Sequence, residues 1–378
     1  MNRAGLAAFL ALHAQVCLAQ GLPTVHEVAT LKHAHEVGGV EFVAGGVQLV
    51  AMAGAYAREA QVWDWRKGKR VATLPEADAV PTVRTPSRAS PDGRFWARCG
   101  DGVTVWDTST WQVLVRLPGT QGSEAPAKAG LLCRAIAFSP DGSALTVLQL
   151  AREDFPNIVQ YATASWQPRW SLRTAPFHAR SVAYAPDGKS IAVGGQVRNV
   201  TRSVPVTTPP TFGEPPLPDT GLVAIIDPAS SAIGKTIPTR EVNMFSSEDL
   251  AWGADGKTIT YAGHAGFQTY EVASGRHLDT RPTENNVASP RLFPSPSGRF
   301  RIETGHGKRS EIVRVLDMST SPPSILHEMD AKPSHIAWAP DNRHFAIAGA
   351  AVSLMSLHPL TALMAPASGK IIIYELSN

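Results

Sequence analysis

Two histidines, His264 and His306, and two cysteines, Cys99 and Cys133, are the side chains here best suited to ligand or redox chemistry. The histidines stand at matching places in two copies of a repeat. Asp101 and Gln196 stand at the same place in two others. Imidazole beside a carboxylate or an amide holds a polar ligand when the groups converge. Matching positions on neighbouring units are too far apart for shared coordination, because a Zn–N bond is only about 2.0–2.1 Å. We therefore expect residues that face a ligand or partner, or else two solvated loop histidines, with no metal site and no cofactor. Glu153 and Asp154 are further carboxylates for an acid–base reading. The chain has no Gly-x-Ser-x-Gly elbow, His-Glu-x-x-His pair, Cys-x-x-Cys-His site or phosphate loop, so no catalytic residue is assigned.

The repeat that positions these residues is built on a turn. Its copies are Ala44-Gly45-Gly46, Pro91-Asp92-Gly93, Pro140-Asp141-Gly142, Pro186-Asp187-Gly188, Ala254-Asp255-Gly256, Pro296-Ser297-Gly298 and Pro340-Asp341-Asn342. Proline presets φ, aspartate bonds the backbone two residues on, and glycine or asparagine takes the left-handed closing position. The last residues fall at 46, 93, 142, 188, 256, 298 and 342, so the gaps are 47, 49, 46, 68, 42 and 44. An insertion accounts for the long gap. After each turn a β-rich run ends in an apolar residue, usually followed by an acid, as in Trp63-Asp64, Trp106-Asp107, Ile226-Asp227 and Leu316-Asp317. Another apolar run follows. Four strands per unit at a period of about 40–45 residues are the grammar of a propeller blade. The fold class expected is all-β, a seven-bladed β-propeller of four-stranded antiparallel blades. Trp63, Trp106 and Trp338 then read as packing between blades.

The set of turns, with Phe138-Ser139, Tyr184-Ala185 and Trp338-Ala339 before them, resembles the WD40 repeat family over roughly residues 26–377. Two units keep a Trp-Asp pair, and His178 matches the family histidine before a first strand. The likeness is to divergent, bacterial-type WD40-like propellers. With no catalytic constellation in the sequence, the function expected is a non-catalytic interaction platform working through the loops of one rim, the alternative being a propeller enzyme or a small-ligand or metal-binding protein that uses the channel mouth.

His26 to Lys32 reads as a lone strand before the first unit, and the chain stops at the third strand of the seventh, Lys370 to Leu376. Pairing of these two segments, about 26–32 with about 370–376, would close the ring and remove an open edge. Up-and-down connectivity then puts the Pro-Asp-Gly turns on one rim. The long irregular segments, Pro118 to Gly130, Gln196 to Gly221, Pro282 to Pro290 and Ala350 to Gly369, fall on the other. Long loops on a rigid scaffold are where recognition is placed. The last of them is unusually apolar, with Leu354, Met355, Leu357 and His358, and suits docking of a partner or a flap over the channel.

Of the 378 residues, 18% are charged, and the formal charge of +3 includes no long basic run. Nucleic-acid binding is not indicated. Residues 1–19 read as a signal peptide: Arg3, an apolar stretch too short to span a bilayer, then Cys17-Leu18-Ala19, with cleavage between Ala19 and Gln20. Residues 20–378 form the propeller domain. The product is expected to be periplasmic or secreted, without a membrane span, as a monomer in contact with a protein partner, or a glycan, of the cell envelope. Cleavage leaves Cys99 and Cys133 as the two remaining cysteines in an oxidising compartment. They are either a disulfide or two small residues packed between blades.

Overall fold

The computed structural model describes residues 23–53, 59–75, 86–100, 102–117, 133–149, 157–174, 177–197, 220–239, 250–263, 266–283, 290–306, 311–350 and 369–377. The leader expected at 1–19 lies outside them. The strands form seven four-stranded antiparallel sheets, each a run of chain neighbours, set as blades in a ring. Their first, innermost strands line the axis. They are Val37–Val43, Ser87–Ala89, Cys133–Phe138, Phe177–Tyr184, Leu250–Trp252, Arg291–Pro294 and Pro333–Trp338. Among the described residues no helix is long and apolar enough to cross a membrane.

The ring closes through the chain ends. Thr24–His33 is the outer strand of blade 7 and pairs with Gly369–Ser377, from Thr24 opposite Ser377 to His33 opposite Gly369. Both strands are longer than the sequence pattern indicates, because the ladder runs on through polar ends.

Every one of the seven turns closes on a residue with φ between 58° and 86°, Asn342 included. The serine before the turn adds what the Pro-Asp-Gly pattern leaves out. Ser90 Oγ donates to Asp92 Oδ1 (2.5 Å) and accepts from Phe95 N (2.9 Å). Ser139 repeats this with Asp141 and Ala144. The turns also touch one another. A Cβ on Gly142 would lie 3.9 Å from Pro91 Cδ, and one on Gly93 only 2.4 Å from Gly45 N. Asn342 Oδ1 accepts Ser297 N at 2.6 Å. Each turn therefore leans on the turn of the next blade, and the turn rim is a closed band.

The acid at the end of the third strand in six of the seven blades, with Ala162 in its place in blade 3, has a structural purpose. Asp107 accepts Ser109 N (2.8 Å) and Thr110 N (3.1 Å). Asp227 accepts Ala229 N (2.8 Å), and Asp317 accepts Ser319 N (2.9 Å). The carboxylate takes up amides that the tight turn to the outer strand would leave unbonded.

Apolar side chains of neighbouring sheets interdigitate between blades. Trp96 and Trp106 join the blade 1–2 cluster, and Phe42, Leu49 and Ile371 join the blade 7–1 cluster. Trp338 Nε1 donates to Phe293 O of blade 6 (2.9 Å), and Trp252 Nε1 to Ala183 O of blade 4 (3.0 Å). These two indoles pack as core while satisfying their donors across a seam, whereas Trp63 and Trp96 bury Nε1 with no partner among the described residues. The blade 5–6 seam differs. Its buried apolar cluster is Ala251, Ala262, Phe267 and Leu292 alone.

Candidate functional site

The inner strands enclose a channel with a cavity of ≈ 370 Å³ near the turn rim. Most of its lining residues are apolar, Phe138, Phe293 and Trp338 among them. Three groups able to carry charge face it: Glu41 of blade 1, Arg88 of blade 2 and His335 of blade 7. Glu41 Oε1 accepts Ala89 N at 3.5 Å. Arg88 Nη1 donates to Ser87 O at 2.8 Å. The buried His335 ring packs edge-on against Phe293, with Nδ1 3.5 Å from Val40 N.

Four inner strands carry an extra residue at the same level. The register slips around Gly38, Arg134, Arg180 and Ser334, in blades 1, 3, 4 and 7. A bulge bends the strand and re-aims a side chain. Here it recurs on the channel wall, toward the loop rim. Ser334 Oγ uses it to reach Val37 O at 2.5 Å in blade 1. Arg291 binds the carbonyls flanking that bulge, Ser334 O at 2.9 Å and Pro333 O at 2.8 Å.

Asp101, Glu153, Asp154, His264, Leu354, Met355, Leu357 and His358 lie outside the described residues. Gln196 lies in the second strand of blade 4 rather than in a loop. It stands opposite His178 on one side and Gly221 on the other, and its side chain is buried. The strand runs to Val197 because Gly194-Gly195 is not a break. A Cβ on Gly195 would stand 2.2 Å from His178 O, so the glycine permits a close backbone approach beside the Arg180 bulge. His306 ends the second strand of blade 6, opposite Glu311. Cys99 and Cys133 are joined as a disulfide, with Cα atoms 5.2 Å apart, at the loop-rim end of the blade 2–3 seam. Among the described residues no group of three or more His, Cys, Asp or Glu is placed to hold a metal ion.

Sequence reasoning missed a buried ionic group in the blade 5–6 seam. Glu303 lies between Arg301 (2.7 Å) and Arg281. Arg301 Nη1 also reaches Thr260 Oγ1 in blade 5 at 3.0 Å. Burial, with Arg281 nearby, pushes the Arg301 guanidinium below its ordinary value, against the pull of Glu303. A signal was present. The third residue after each turn is Leu49, Trp96, Leu145, Ile191, Ile259 and Phe345 in six blades, but Arg301 in blade 6.

The fold and channel define a seven-bladed β-propeller. No protein-family model matches the chain, and no curated protein sequence matches it. Among solved structures it is similar to a chain of Kuenenia stuttgartiensis hydrazine synthase, with a TM-score of 0.58 and 18% identity, over 83% of this chain and 92% of that one. At that identity the likeness shows the shared propeller fold.

Proposed function

We propose that this protein is an exported, WD40-like propeller that acts without catalysis, as an interaction platform for a protein or glycan of the cell envelope. The observation that carries this reading is the difference between the rims. Every connection on one rim is a short turn, and each first-to-second-strand turn packs against its neighbour, whereas the long segments, 118–132, 198–219 and 351–368 among them, all join strand ends at the other. Long segments carried on one rim of a rigid scaffold are where recognition is usually placed.

Export is supported by the leader-like residues 1–19 and by the paired Cys99 and Cys133, which suit an oxidising compartment. In the mature protein, thiol labelling under denaturing conditions is expected to find no free cysteine, and N-terminal sequencing is expected to begin at Gln20. The test of the platform is purification of the tagged chain from a native envelope fraction. A stoichiometric protein or glycan partner is expected, and none recovered after crosslinking counts against the reading. A second reading, a small-ligand propeller or propeller enzyme working at the channel, is favoured by the cavity that Glu41, Arg88 and His335 share.

A further inference from the structure

The described inner strands carry four arginines, Arg88, Arg134, Arg180 and Arg291, against one carboxylate, Glu41, with no lysine or aspartate. Two of the four are already engaged. Arg291 is spent on the Pro333 and Ser334 carbonyls, and Arg180 is not free. Glu41 is not a free carboxylate either. Arg88 and Arg134 are different. Arg88 is half-buried at the cavity wall, and its one hydrogen bond goes to the adjacent Ser87 carbonyl. Arg134 is half-buried at the blade 3 bulge, and its side chain makes no hydrogen bond or ion pair among the described residues.

These two residues sit on adjacent blades. Ala137, three residues beyond Arg134, lines the same cavity as Arg88. Arg134 itself does not line that cavity: at about 3.3 Å per strand residue it stands roughly 10 Å from the level of Arg88 toward the loop rim, a gap that two long side chains together can span. Glu41 shares the cavity with Arg88 but is bonded elsewhere, to Ala89 N among others, and a half-buried guanidinium without a bonded counter-charge is costly to hold. Low-dielectric channel walls also focus the field of the arginines. The planar fork of Arg matches carboxylate and phosphate oxygens two at a time.

We propose that the channel binds a small ligand bearing a carboxylate or phosphate group, held by Arg88 and Arg134, with its apolar part against Phe138, Phe293 and Trp338. A cavity of ≈ 370 Å³ lies near the small end of ligand sites, which run from about 300 to 1,000 Å³. The occupant is thus a compact acid or phosphate ester rather than a polymer. This goes beyond the loop-rim platform, and either can fail alone.

The test is calorimetric titration of the mature protein at low, matched ionic strength with succinate, inorganic phosphate and the neutral succinamide. Succinate or phosphate is expected to bind and succinamide not to. Binding of only one anion names the group. Arg88→Gln and, separately, Arg134→Gln are each expected to weaken binding at least tenfold. Arg88→Lys, which keeps the charge but loses the fork, is expected to weaken it less. Each variant should keep the parent melting temperature, because no ion pair is lost. Failure of both anions to bind overturns the proposal. So does equal binding by a folded Arg88→Gln or Arg134→Gln protein. If Arg88→Gln unfolds, Arg134→Gln decides alone.

Discussion

The two rims of this propeller are made by the same strands and obey different rules. On the turn rim every connection is short, most are capped by a side-chain oxygen, and each first-to-second-strand turn is pressed against the next. A Cβ on Gly298 would stand 2.9 Å from Ala254 Cβ, and one on Gly46 3.1 Å from Pro340 Cδ. Sequence there is bound by geometry. The loop rim receives the long segments and the Cys99–Cys133 staple. The difference teaches that one rim holds the ring together and the other is free to vary. Substitutions on the first should cost stability, and changes to the second should cost binding.

The contrast breaks most visibly where a turn is made impossible. Gly93→Val puts a branched side chain at φ 72° and against Gly45 N. We expect a loss of about 2–5 kcal/mol, read by urea unfolding, since backbone strain and overpacking each cost about 1–3 kcal/mol. A stability within 0.5 kcal/mol of the parent would show that the turn band bears little weight.

The next largest effect lies in the 5–6 seam, where buried charge replaces apolar packing. Removing one partner of a buried pair costs about 3–5 kcal/mol, much of it from the charge left behind. Here Glu303→Gln leaves two guanidinium groups but retains an oxygen acceptor. We expect roughly 2–3 kcal/mol, more than for any single hydrogen bond of the turn rim. The double variant Arg301→Phe with Glu303→Ile, which copies the apolar pattern of the blade 7 strand, is expected to recover most of the loss.

Acid sharpens the same contrast. Hydrogen bonds from the Ser109 hydroxyl and amide hold Asp107 below the usual carboxylate range, and the Ser139 hydroxyl does the same for Asp141. Asp227 is lowered by the Ala229 amide. A lowered folded pKa gives stability that is present above the unfolded value, about 3.9, and lost as pH falls through the folded one. The melting temperature should therefore fall steeply below pH 4. Asp107→Asn should flatten part of that limb at a cost of about 1 kcal/mol at pH 7. His33 adds a smaller slope. Burial lowers its pKa below 6.5, so the unfolded chain binds the proton first. Stability is full above pH 6.5 and declines just below it, and His33→Gln should remove that decline.

The seven-fold ring could be read from the sequence because its turns are local. Pro-Asp-Gly and the acid at the end of most third strands act within a few residues, and spacing alone counts the blades. Closure was legible because a spare strand at one end matched a missing strand at the other. Features that depend on two blades at once were not. Gly194-Gly195 resembles a loop until His178 O is seen against it. The bulges at Arg134 and Arg180 leave no composition mark. Arg301 and Glu303 were visible as exceptions to an apolar column, but their pairing with Arg281 requires the seam.

The smallest stability effect and the largest functional one are predicted together, by replacing residues 198–219 with a short Gly/Ser linker. Loop-closure entropy changes slowly with length, by about 0.6 kcal/mol per doubling, so the melting temperature should hardly move. Co-purification from the envelope fraction with this variant, beside a turn-rim surface variant such as Lys189→Glu, tests the working face directly. We predict that the partner is lost with the shortened loop and kept with Lys189→Glu. Loss with Lys189→Glu and retention with the shortened loop would contradict the assignment of the loop rim as the working face.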